Sequence, residues 1–101
     1  MTRLPKPAAA ASAGPFDTDR EVRETPAVRA VREAFDADPG AGKMAPHIHR
    51  MLCEALTEAR VELGAYDHRI VLWMAGWEAE TCAVIAGLII RAYAAGRSGA
   101  R

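Results

Sequence analysis

From Trp77 or Glu78 to Gly96 the chain reads as a helix that is apolar on nearly every side. Val84, Ile85, Leu88, Ile89 and Ile90 together span most of its circumference. Such a helix is stable only at the centre of a core or beneath a partner. The rest of a 101-residue chain must wrap around it or leave part of it for another surface. Glu78 and Glu80 suit the N-terminal end of its dipole, and Arg91 suits its last turns. Its most apolar run, Thr81 to Ile90, falls short of the about 20 residues that cross a bilayer. The expectation is a core helix with no membrane role.

The preceding residues supply the wrapping. Thr25 is a good N-cap, and Pro26 follows at the first helical position, where its missing N–H costs nothing. Val28, Val31 and Phe35 then form one stripe, and Asp38-Pro39-Gly40 stops the helix because proline disfavours helical backbone before it. A second helix is expected from about Pro46 to Leu63, with Ile48, Leu52, Ala55, Leu56, Ala59 and Leu63 on one face and Gly64 as its C-terminal cap. Asp67 caps a short third helix, His68 to Ala75, which Gly76 breaks. Residues 1 to 16 are rich in Pro and Ala and bury too little to offset ordering entropy. Residues 17 to 24 alternate in charge around a single anchor, Val22. The expected fold is thus all-α. It is a small three- to four-helix bundle at 25–96, after a disordered or weakly helical tail at 1–24 and before a flexible end at 97–101.

Thirteen basic residues balance thirteen acidic ones, which argues against coating DNA or an acidic membrane. Cys53 and Cys82 are too few for a disulfide framework, and the N-terminus has no apolar signal-peptide core. These features point to the cytoplasm, with both thiols reduced.

Several patterns resemble chemistry without completing it. Gly40-Ala41-Gly42-Lys43-Met44 looks like part of a phosphate loop, but Ala37 and Met44 stand where Gly and Ser or Thr are required. His47, His49 and Cys53 cluster at one helix start, yet their spacing matches no closed zinc site, so no metal and no other cofactor is expected. Glu54, Glu58 and Glu62 form an acidic row that reads as a solvated face. No serine or cysteine is paired with a base in a known motif, so no catalytic residue is assigned and no enzyme is expected.

Two kinds of surface remain. Residues 67–91 have a helix-turn-helix outline, but the second helix would offer Glu78 and Glu80 to the phosphates. Arg50, Arg60 and Arg69 are the candidate nucleic-acid contacts if the arginines gather elsewhere. Trp73 and Trp77 are four apart; Trp73 suits the core, while Trp77 is open to either role. Ala83 and Gly87 form a small-xxx-small pair that admits a close helix, within the chain or from another copy. Trp77, Ala83, Gly87 and Ile90 are the candidate interface residues.

The Leu63-Gly64-Ala65-Tyr66-Asp67 turn, Trp73, Gly76-Trp77-Glu78, Glu80-Thr81 and the IAGLI stretch at 85–89 carry a resemblance. Residues 63–96 resemble small uncharacterised proteins of high-GC actinobacteria, notably streptomycetes, and of their phages or integrative elements. The alanine-rich composition and the excess of Arg over Lys suit such a source. The resemblance implies a helical C-terminal unit and transfers no activity. The functional expectation is a non-enzymatic helical interaction module that binds an unknown protein or a copy of itself. The alternative is a small DNA-associated regulator using the 67–91 segment.

Overall fold

The computed structural model describes residues 11–99, with side chains as far as Arg97. The chain is all-helical: among the described residues there are five helices and no strand. Residues 1–10, the larger part of the expected tail, lie outside the described residues.

Residues 11–16 are packed rather than disordered, which corrects the expectation there, while residues 17–24 hold the weak helical turn anchored on Val22. Ser12 and Ala13 are buried. The Ser12 hydroxyl oxygen accepts from the Ala27 N–H at 3.0 Å. Helix α1, Asp19–Arg23, is capped by the Thr18 hydroxyl oxygen, which accepts from the Glu21 N–H. Val22 is its buried anchor. Thr25 joins α1 to α2: its hydroxyl donates to the Val22 carbonyl at 2.7 Å and accepts from the Val28 N–H at 3.3 Å.

Helix α2, Pro26–Ala37, buries Val28 and Val31 and ends at Asp38 as the sequence implies. Helix α3, Ala45–Glu58, buries Ile48, Met51, Leu52 and Ala55. It stops five residues before the expected Leu63. Arg60 takes a left-handed backbone (φ 61°). The Arg60 N–H then bonds to the Thr57 carbonyl and the Val61 N–H to the Leu56 carbonyl. This is the paired closure usually built on glycine. Gly64 instead stands before helix α4, Ala65–Met74, where its N–H donates to the Asp67 carboxylate at 3.0 Å. Asp67 therefore acts three residues inside the start of α4 rather than as its cap.

Helix α5, Ala79–Gly99, runs through Gly96 without stopping. A side chain at Gly96 would meet nothing, so no contact breaks the helix there. The main packing is α3 against α5; α2 covers both, α1 lies on α5 and α2, and α4 lies on α3. An ion pair between Arg32 and Glu80 ties α2 to the start of α5.

Candidate functional site

Helix α4 is apolar on two sides. Val71, Met74 and Ala75 turn inward, with Ala75 buried and the other two partly so. The Cys82 thiol donates to the Met74 carbonyl at 3.2 Å and pins the end of α4 to α5. None of the ten residues of α4 is itself fully buried. Its outer side carries Tyr66, Ile70 and Trp73, with Trp77 in the turn beyond, 68%, 39%, 61% and 54% exposed. Tyr66, Ile70 and Trp73, at i, i+4 and i+7, share one line of α4, and Trp77 continues it from the turn by packing on Trp73. Trp73 and Trp77 meet edge to face, 5.7 Å between centroids, and the Arg69 guanidinium lies 5.9 Å from the Tyr66 ring centre. Trp73, expected in the core, is thus on the surface. Val71 and Met74 fill the inward positions, so the helix cannot turn Trp73 inward as well.

Helix α5 packs by its small residues. Ala79, Cys82, Ala83, Ala86, Gly87 and Ile90 are buried within the chain. Three of the four candidate interface residues, Ala83, Gly87 and Ile90, therefore pack internally, and Trp77 alone is exposed. A Cβ at Gly87 would lie 2.5 Å from the Ala13 carbonyl oxygen, so glycine lets the N-terminal strap cross there. Arg91 donates to the same oxygen at 2.9 Å. Larger side chains face away from this seam: Leu88 is half exposed, and Val84, Ile85 and Ile89 are partly so. The stretch Ala79–Arg97 is long and apolar enough to cross a membrane by length and composition alone, and 33% of it is buried against the other helices. The apolar run read from the sequence, Thr81 to Ile90, covers only the middle of this stretch.

A groove of about 210 Å³ lies between the strap and helices α2, α3 and α5. The small side chains of Ala27, Ala30, Ala55, Ala83 and Ala86, with Gly87, leave this space open. Arg50, Glu54 and Glu58 stand along α3 at its edge, and the buried Nδ1 of His47 has no hydrogen-bond partner. Glu58 is buried, so the acidic row is not one solvated face; Glu54 and Glu62 are exposed. The groove holds apolar surface and several ionisable groups but neither thiol.

Cys53 does meet a histidine: its sulfur lies 3.4 Å from His49 Nε2, and the His49 ring packs 5.4 Å from that of His68. Burial raises the Cys53 thiol pKa above its usual value, which opposes formation of the nucleophilic thiolate. Burial, reinforced by the Glu78 carboxylate, also raises that of Cys82. Among the described residues no group of three His, Cys, Asp or Glu side chains is placed to hold a metal. Lys43 of the glycine-rich loop is paired with Asp38 at 2.8 Å.

Arg50, Arg60 and Arg69 occupy three different surroundings. Arg50 lines the groove, Arg60 forms the turn after α3, and Arg69 lies on Tyr66. Arg20, Arg23 and Arg32 are paired with carboxylates. The start of α5, where a recognition helix would read bases, has Ala79, Cys82 and Ala83 packed inside and Glu80 tied to Arg32. Compared with protein-family models, with curated proteins and with solved structures, the chain matches none. The stripe on α4 is the feature that sequence reading missed. Its signal was present, since Tyr66, Ile70, Trp73 and Trp77 keep helical spacing beside a second apolar face.

Proposed function

We propose that this chain is a non-enzymatic protein-interaction module, a small helical bundle that presents the outer stripe of α4 to a partner. One observation carries the reading: Tyr66, Ile70 and Trp73 form an exposed aromatic and aliphatic line on a helix already packed by its other side, and Trp77 extends that line from the turn beyond. Tryptophan and tyrosine dominate the residues that carry binding energy at protein interfaces. A stripe at heptad-like spacing fits against the apolar face of another helix. The raised thiol pKa values of Cys53 and Cys82 and their position outside the groove support a binding role over cysteine chemistry.

Site-specific photo-crosslinking in the cells that make the protein tests this reading. A photoreactive phenylalanine analogue is placed at position 73, at position 77 and, as a control, at the exposed position 29 on α2. Discrete adducts from 73 and 77 and none from 29 are expected. No adduct from either tryptophan position, or the same ladder from all three, contradicts the docking role.

A further inference from the structure

We infer that the occupant of the α4 stripe is a second copy of this chain, paired antiparallel across a two-fold axis. The inference rests on the docking role proposed for that stripe and adds the identity of the partner.

The area of the stripe fits a self-pairing. An aromatic side chain contributes about 150–250 Å² when fully buried, so the exposed fractions of Tyr66, Ile70, Trp73 and Trp77 sum to roughly 500 Å². A standard interface takes about 800 Å² from each side, and about 65% of a homodimer interface is apolar. The apolar share is then about 520 Å² per copy, close to what the stripe supplies. A two-fold interface also requires a surface complementary to itself. The stripe runs from Tyr66 to Trp77, with Ile70 and Trp73 on either side of its midpoint. Antiparallel pairing sets the Tyr66 end of one copy against the Trp77 end of the other and Ile70 against Trp73. At the centre each Trp73 then meets the smaller Ile70, and at the ends Tyr66 and Trp77 meet ring to ring.

Charge selects the same direction. Arg69 lies on the Tyr66 ring at one end, where the Asp67 carboxylate is engaged by the Gly64 N–H at the helix start, and Glu78 follows Trp77 at the other end. An antiparallel pair brings these opposite charges to the same end. A parallel pair sets arginine beside arginine and glutamate beside glutamate, which costs free energy at close range.

Analytical ultracentrifugation of the full chain over a dilution series tests the inference. The series compares the wild type with Trp73→Glu, Ile70→Glu and the control Arg29→Glu, each checked for helix content by circular dichroism. The wild type and Arg29→Glu are expected to sediment as a reversible dimer. Each substitution on the stripe enters the symmetric interface twice, so both should weaken dimerisation by at least about 100-fold while the helices persist. For orientation, a mixture of Tyr66→Cys and Trp77→Cys copies should oxidise to the mixed disulfide faster than Tyr66→Cys pairs with itself. A monomer at every concentration overturns the second copy as occupant. In that case, cross-links from position 73 to a different protein would leave the docking role standing. A dimer unmoved by either stripe substitution overturns the placement of the interface, and preferential Tyr66→Cys self-disulfides overturn its direction.

Discussion

Replacing Gly87 with alanine should destabilise the protein, although the same change elsewhere in α5 should stabilise it. In a helix, alanine is favoured over glycine by about 0.8–1.0 kcal/mol. At Gly87 the new methyl would sit 2.5 Å from the Ala13 carbonyl oxygen and 3.1 Å from its carbon, so the strap must move. Two hydrogen bonds go with it. One is from Arg91 to that carbonyl, about 1.5 kcal/mol or more for a charged donor. The other is from the Ala27 N–H to Ser12, about 1 kcal/mol. Ala13 also loses its burial. After the gain in helix propensity, Gly87→Ala should cost about 1–2 kcal/mol. At Gly96 nothing lies near the added methyl, so Gly96→Ala should stabilise by up to about 1 kcal/mol. Equilibrium urea unfolding followed by circular dichroism measures both. The two variants should differ by about 2 kcal/mol, or roughly 8–16 °C in melting temperature. If Gly87→Ala is as stable as Gly96→Ala, the strap does not cross α5 at this position and the reasoning fails.

Three further outcomes follow from the geometry. Arg60→Gly should raise stability by about 0.5–1 kcal/mol in the same assay, because glycine accepts the left-handed backbone that closes α3; a loss would mean that the Arg60 side chain matters more than its backbone. Thr25→Ala should cost about 1–2 kcal/mol, since it removes the cap of α2 and leaves the buried Val22 carbonyl without its hydroxyl donor. Iodoacetamide should alkylate the half-buried Cys53 before the buried Cys82. Both should react more slowly near neutral pH than a free thiol, and their rates should still be climbing at the pH where that of a free thiol levels off, because a raised pKa means less thiolate at any given pH. Mass spectrometry over a pH series checks this, and fast labelling of Cys53 at neutral pH would contradict it by pointing to an activated thiol.

Local signals served the fold where they acted alone. Thr25-Pro26 set the start of α2 and Asp38-Pro39 its end, because a cap and a proline act within a few residues. The end of α3 was misplaced because arginine takes a position that statistics assign to glycine, and the nearby Gly64 offered a more ordinary stop. The order in residues 11–24 was hidden for another reason. Ser12 and Ala13 are held by Ala27 and Arg91, contacts that span 15 and 78 residues and leave no periodic trace. At the candidate site, the small-residue pair Ala83 and Gly87 was legible as a close-packing motif, but sequence alone does not say whether the neighbour is internal. The sequence places Trp73 in the core, because large aromatic residues usually are buried, and leaves Trp77 open to either role. A helix with apolar residues on both sides buries one and exposes the other, and only the packing of Val71 and Met74 shows which.

The pairing of two copies through α4 is tested most directly by iodide quenching of the two tryptophans, Trp73 and Trp77, as the protein is diluted. At low concentration both are expected to be open to iodide, though less than free indole, as their 61% and 54% exposure requires. At high concentration quenching should fall as a second copy covers them, and Ile70→Glu should abolish that protection. Tryptophans that resist iodide at every dilution would mean that the stripe is covered within a single chain. Full quenching at every concentration would mean that no copy covers it.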